Sequence, residues 1–234
     1  MNYFKRSLLV LLTALTAQIS WAQTADEVIG KYIDAVGGKE KLLALKTIKT
    51  TGSLNVQGLE VAVITTAVNG VGFRSDIAVP GMGEGYQIMT PTKGISYMPF
   101  QGQSSPEEVD AERLKSGQLS LDIQGYLLNY KEKGHAVELV GKEKVEGADC
   151  YHLKLTSNAG KIVQLFIDAS TFYKIKTVST VNINGEETEM ETIFSDFKKT
   201  PEGYVFPYAQ STPNGNILVS SIEINKPVDE SIFK

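Results

Sequence analysis

The chain has 234 residues, 42% of them hydrophobic and 21% charged, with one cysteine, one tryptophan and a formal net charge of −4. No basic run offsets that acidic balance, which argues against nucleic acid and anionic lipid surfaces as partners. A single cysteine makes no internal disulfide, so the hydrophobic core has to hold the fold unaided.

Lys5 and Arg6 precede an apolar run from Leu8 to about Ala17, and Ser20 and Ala22 stand at the −3 and −1 positions of a small-residue cleavage site. The pattern predicts a secretory signal over residues 1–22 and a mature domain over residues 23–234, with 212 residues and a charge of −6. The apolar run is shorter than the roughly 18 to 20 residues that cross a bilayer, and no later segment is long enough to span. Export to the periplasm is the expectation. Cys150 lies far from the cleavage site, so the chain does not read as a lipoprotein; beside Tyr151 it reads as a small buried apolar residue.

Thr24 and Glu27 fit a capping box, and Val28, Ile29, Tyr32, Ile33 and Val36 follow at helical spacing, which predicts a helix from Ala25 to about Val36. Gly37-Gly38 stops it, and Lys39 to Leu45 makes a second short turn or helix. From Thr47 the period becomes two, giving strands at Thr47–Val56, Leu59–Val68, Gly72–Val79, Gly85–Met89 and Gly94–Phe100. Leu59–Val68 carries no charge after Glu60 and is apolar or Thr on both faces, so it needs cover on both sides.

Residues Ser104–Lys133 break the alternation. Ser105 is placed to cap a helix starting at Pro106-Glu107-Glu108, and Leu119, Ile123, Tyr126, Leu127 and Tyr130 share a helical stripe, predicting one or two inserted helices. Strands resume at Ala136–Val145, Cys150–Ser157, Lys161–Asp168, Tyr173–Asn182, Glu187–Phe197, Tyr204–Ser211 and Ile217–Ile224. Their connections at Asn158-Ala159-Gly160, Asn184-Gly185 and Asn214-Gly215 have hairpin chemistry. With about eleven strands and no linker-like stretch, one curved or barrel-like sheet is favoured over two domains.

Residues with chemical potential are scattered. His135 and His152 lack the surroundings of a triad or a zinc protease, and Cys150 with His152 makes two ligands, short of a closed metal site. The glycines of Gly81-Met82-Gly83-Glu84-Gly85 join two strands instead of opening a helix, and read as a turn. Glu186, Glu187, Glu189 and Glu191 read as a solvated strand face. No catalytic set, cofactor or metal is expected, which shifts weight from an enzyme toward binding. A helix-capped sheet encloses either a concave apolar pocket or a filled core, and the residue pattern alone leaves both open.

Several phrases resemble the periplasmic lipoprotein carrier and receptor superfamily, LolA and LolB. The opening Thr24–Gly38 is similar to LolA-like exported proteins of Bacteroidetes type, and Thr92–Phe100 to the "DGKxLWxYxPx" strand. Leu165–Thr171 matches the "YFDxxT" hairpin, and Ser195-Asp196-Phe197 with Glu202–Pro207 the "SDYxxxxGxxxP" pair. The resemblance covers most of the mature chain. It implies a mainly β (α+β) fold, an incomplete antiparallel barrel with an N-terminal helix and inserted lid helices over an apolar cavity for acyl chains.

The implied cavity lining is drawn from Val61, Val63, Phe73, Ile77, Tyr86, Ile88, Tyr97, Leu165 and Phe194, with Leu119, Ile123 and Leu127 in the lid. The carriers' lid-latching arginine stands in a "KRPNLF" phrase, where this chain has Asn69. Arg74 is the only arginine in a predicted strand and the substitute latch. Its alternation sets it opposite Phe73 and Ile77, which favours an ordinary surface or rim residue. The partner expected is a lipid or a lipidated protein, or, in the manner of stress-sensing relatives of this fold, another envelope protein.

Overall fold

The computed structural model describes residues 24–183 and 186–234; the expected signal segment, its cleavage site and the Asn184-Gly185 turn lie outside them. Helix α1 (Ala25–Ala35) begins as its sequence requires: Thr24 accepts from the Glu27 amide, and the Glu27 carboxylate accepts from the Thr24 amide. It ends at Gly37 and Gly38, whose φ values of +139° and +91° suit glycine, and α2 (Lys39–Ala44) follows.

The strands form one antiparallel sheet. The first six are β1 (Thr47–Val56), β2 (Leu59–Val68), β3 (Gly72–Val79), β4 (Gly83–Met89), β5 (Gly94–Tyr97) and β6 (Glu107–Glu108). The second run is β7 (Ala136–Val145), β8 (Ala148–Thr156), β9 (Ile162–Asp168), β10 (Lys174–Ile183), β11 (Glu186–Lys199), β12 (Val205–Thr212) and β13 (Gly215–Ile224). Each run is a meander, and β13 pairs with β1 to join them. The order β6-β5-β4-β3-β2-β1-β13-β12-β11-β10-β9-β8-β7 leaves β6 and β7 as opposite free edges of an open, curved sheet of 13 strands. Every strand expected from the sequence is present within a few residues of its expected bounds, and β6 is additional.

That extra strand corrects the reading of the insert. Glu107 and Glu108 pair with Ser96 and Ile95 as a short edge strand instead of opening a helix. The helix starts later, at α3 (Ala111–Gly117), where Asp110 accepts from the Arg113 amide. The apolar stripe from Leu119 to Tyr130 is not a regular helix either: a 3-10 turn spans Gln118–Leu121 and turns follow. Gly125 at φ +93° and Asn129 at φ +51° hold left-handed backbone, which breaks the helical path.

Alternation along paired strands assigns every side chain to one of two faces. The inner face, as defined by the helices it carries, has α1 lying across β8 and β9. There Val28 and Ile29 meet Leu127, Tyr130, Tyr151, Leu153, Leu155, Val163, Leu165 and Ile167 in the principal core. A second cluster joins Leu42, Leu45 and Leu128 to Tyr204 and Ile224. On the outer face Val145, Cys150 and Phe166 form a small third cluster. Leu153 is 0% exposed between α1 and the sheet, whereas Leu218 on the outer face is 55% exposed. Leu153→Ala is expected to cost about 2–5 kcal/mol and Leu218→Ala under about 0.5 kcal/mol, read from urea midpoints.

Candidate functional site

Beyond the two large clusters the inner face is apolar without being closed. Leu54 pairs with Val61 and with Ile217, Gly52 with Val63 and with Val219, and Val63 with Ile77, so these side chains share the inner face of β13, β1, β2 and β3. Phe73 stands beside Ala67 on the same face. Val61 is buried, but Leu54, Val63, Phe73, Ile77, Ile217 and Val219 are only half-buried. Phe194 lies on the inner face of β11, also half-buried. Four of the expected lining residues, Val61, Val63, Phe73 and Ile77, are therefore brought together, and Phe194 sits farther along the same face.

The other expected lining positions are placed differently. Leu165 faces inward but is 0% exposed beneath α1, inside the closed core. Tyr86, Ile88 and Tyr97 are on the outer face, because Ile77 pairs with Gly85, and Tyr86 pairs with Asp76 and Tyr97. The β3–β4 turn sets that register, and a one-residue slip would reverse all of them.

Arg74 is outside as well and does not touch the insert. Its guanidinium bonds Asp76 at 2.7–2.8 Å, lies 4.5 Å from the Tyr86 ring centroid, and donates to the Ile232 carbonyl at 3.1 Å. It therefore fastens the C-terminal 3-10 turn (Glu230–Phe233), whose Phe233 ring covers Gly72 so closely that a Cβ there would stand 2.5 Å from it. Beside this anchor, Ala62, Ile64, Arg74, Asp76, Tyr86 and Tyr97 line an outer cleft of about 430 Å³.

Leu119, Ile123 and Leu127, expected in the lid, pack on the inner face. Leu127 is buried in the principal core, Leu119 packs against it, and Ile123 packs on the second cluster. A set of polar contacts that periodicity does not reveal adds to this packing in holding the insert down. Tyr130 Oη donates to Asp26 Oδ1 at 2.6 Å, and Lys131 Nζ reaches Asp26 Oδ2 at 2.7 Å. Gln124 Nε2 donates to the carbonyls of Leu43 and Leu45, the Gly70 amide donates to the Leu121 carbonyl, and Lys133 pairs with Asp122 inside the insert.

Lys174 also faces inward, opposite Ile167 on β9. Its ammonium lies 5.2 Å from the Tyr126 ring centroid and 4.9 Å from that of Phe194, and bonds Tyr126 Oη at 3.3 Å. Burial works against its charge, the Tyr126 and Tyr32 phenols work for it, and the balance leaves its pKa above the ordinary lysine value.

The histidines and the cysteine have ordinary surroundings. His152 bonds Gln164 at 2.7 Å, approaches Glu143 at 2.8 Å and stacks on Phe166, while Cys150 is 0% exposed. Among the described residues no group of three or more His, Cys, Asp or Glu side chains is arranged to hold a metal, and no helix is long and apolar enough to cross a membrane.

No protein-family profile matches the chain, nor does any curated protein sequence at a significant level. Solved structures do match. A LolA superfamily protein from Nitrosomonas europaea superposes with a TM-score of 0.56 at 16% identity, over 91% of this chain and 98% of that one. A DUF1329 family protein from Desulfovibrio piger gives 0.56 at 15% identity, over 89% and 96%. A domain assigned provisionally to outer-membrane lipoprotein sorting, from Vibrio parahaemolyticus, gives 0.56 at 12% identity, over 88% and 94%. The class is thus defined by architecture: this chain has a LolA-like fold, an open antiparallel half-barrel with a helical cover.

The Asp26 contact carries a pH dependence. Hydrogen bonds from Lys131 and then Tyr130 hold the Asp26 carboxyl below the usual carboxylate range. A depressed folded pKa contributes stability that is fully present above the unfolded value of about 3.9 and is lost as pH falls through the folded value. Asp26 is 59% exposed, so solvent screens part of the effect. Asp26→Asn is expected to lower stability at pH 7 and to flatten its decline below about pH 4, read from urea midpoints across pH.

Proposed function

We propose that this chain is a soluble periplasmic binding protein that holds acyl chains of a lipid or a lipidated protein against its inner face. The observation that carries the reading is the row of half-buried apolar side chains on β13, β1, β2 and β3, Leu54, Val63, Phe73, Ile77, Ile217 and Val219, which continues the inner face beyond two clusters that are closed. Side chains meant only for a core are normally buried by one another. Here a continuous apolar strip is left with one side toward solvent, and each methylene transferred onto it from water gains about 0.8 kcal/mol.

Such binding needs no covalent chemistry. The insert packs into the closed clusters through Leu127 and Leu128 and is further fastened by polar contacts at Asp26, Gln124 and Gly70, so the strip beyond it, and not the covered clusters, is the surface free for entry and release. The Vibrio parahaemolyticus neighbour supports a lipidated protein as one cargo. The secretory pattern of residues 1–22 supports a periplasmic location for the mature chain.

Two measurements test the reading. Native mass spectrometry with lipid extraction of the mature protein is expected to find bound lipid, and a fluorescent fatty acid to be taken up; absence of both would sink the proposal. Neighbouring substitutions in β2 test the face. Val63→Lys, on the inner floor, is expected to weaken fatty-acid uptake at least about tenfold by placing a charge against the chain. Ala62→Lys, on the outer face one residue away, is expected to leave it unchanged. Equal effects from the two would overturn the assignment of the inner face.

A further inference from the structure

We infer that Lys174 anchors the anionic head of an amphiphilic ligand, a carboxylate or phosphate carried on an acyl chain. The inference rests on the acyl-chain reading above and names the charge the ligand has to bear.

Lys174, on β10, stands where the roofed core ends, three strands from β13, where the open floor begins, with Phe194 on β11 between them. Its strand neighbour Ile167 is 0% exposed under α1, whereas Phe194 on the far side is half-buried on the open inner face. The contrast with Lys176 is direct. That residue, on the opposite face of the same strand, has a carboxylate partner in Glu191. Among the described residues Lys174 has none, although it is a partly desolvated cation in an acid-rich chain. Two aromatic rings and one 3.3 Å hydrogen bond are what it has instead. Rings compensate a desolvated ammonium only in part, and an anion with hydrogen-bonding oxygens does so more fully.

The neighbours suit an anion as well. Tyr126 Oη accepts from Lys174 Nζ, which leaves its own proton free to donate, and Tyr32 on α1 lies within electrostatic reach of both. An ammonium and phenol donors thus converge on the inner face three strands from the apolar strip, a span that a long hydrocarbon tail can cover. A ligand matching both features carries a charged head and a hydrocarbon tail, as a fatty-acid carboxylate or a phosphate monoester lipid does. A free small anion would use only the first.

The test compares charged and uncharged probes of equal chain length. Pyrene-labelled hexadecanoic acid is expected to bind the mature wild-type protein about tenfold more tightly than its methyl ester. Lys174→Gln is expected to remove that preference while keeping ester binding, and Lys174→Arg to retain it. Equal binding of acid and ester by the wild type, or an equal loss of both in Lys174→Gln, would overturn the head-group site and leave the acyl-chain reading standing. Uptake of neither probe would overturn both. Butyrate and inorganic phosphate are expected not to compete; displacement by either at concentrations comparable with the long-chain acid would show a small-anion site and overturn the amphiphile assignment.

Discussion

An open sheet whose two meanders end at opposite edges cannot be connected along its own plane. The chain leaves β6 at one edge and enters β7 at the other, so the segment between them has to cross a face of the sheet. This topological requirement produces the cover. It explains why α3, the 3-10 turn at Gln118–Leu121 and the turns that follow lie over the strands, and why their apolar residues find partners on α1, on α2 and on the second meander. A closed barrel would remove the free edges but also the need for such a crossing. Here the edges are managed locally instead: β6 is two residues of glutamate, and β7 carries Glu138, Lys142, Glu143 and Lys144 with a bulge after Leu139.

The crossing divides the inner face unequally. Where α1 and the insert overlap, side chains from Val28 to Ile167 close into a core; on β13, β1, β2 and β3 the strip from Ile217 to Ile77 keeps one side toward solvent. Structure and the proposed activity meet at that boundary. The closed part carries the stability that a domain whose single cysteine is free needs, the open part offers apolar surface, and Lys174 stands at the edge of the closed part. The outer face follows a separate logic, since Arg74, Asp76 and Tyr86 use it to anchor the C-terminal turn.

Much of the fold was legible because its signals are local. The Thr24–Glu27 capping box, the Gly37-Gly38 stop and the period-two runs depend on residues a few positions apart, and each appears in the structure where the sequence places it. The insert misled for an equally physical reason. Leu119, Ile123, Tyr126, Leu127 and Tyr130 have helical spacing, yet Gly125 and Asn129 take left-handed backbone so that the same stripe follows the crossing path. Tertiary packing decided the matter over local periodicity. The faces of the candidate lining residues were legible in part: Val61, Val63, Phe73 and Ile77 share the inner face as alternation within β2 and β3 implies, while Tyr86, Ile88 and Tyr97 required the register of the β3–β4 turn.

The amino-acid order alone determined the strand and helix inventory, the reliance on an apolar core and the two-faced character of each strand, because these follow from hydrophobic period, caps and turn residues within short windows. Only the tertiary structure decided which face of each strand looks inward, that Leu165 is core and not floor, that Asp26 and Gln124 fasten the cover, and that Lys174 lacks a carboxylate partner among the described residues. Those outcomes depend on register and on contacts between residues far apart in the chain, 105 positions for Lys131 with Asp26, and no short window of sequence carries them.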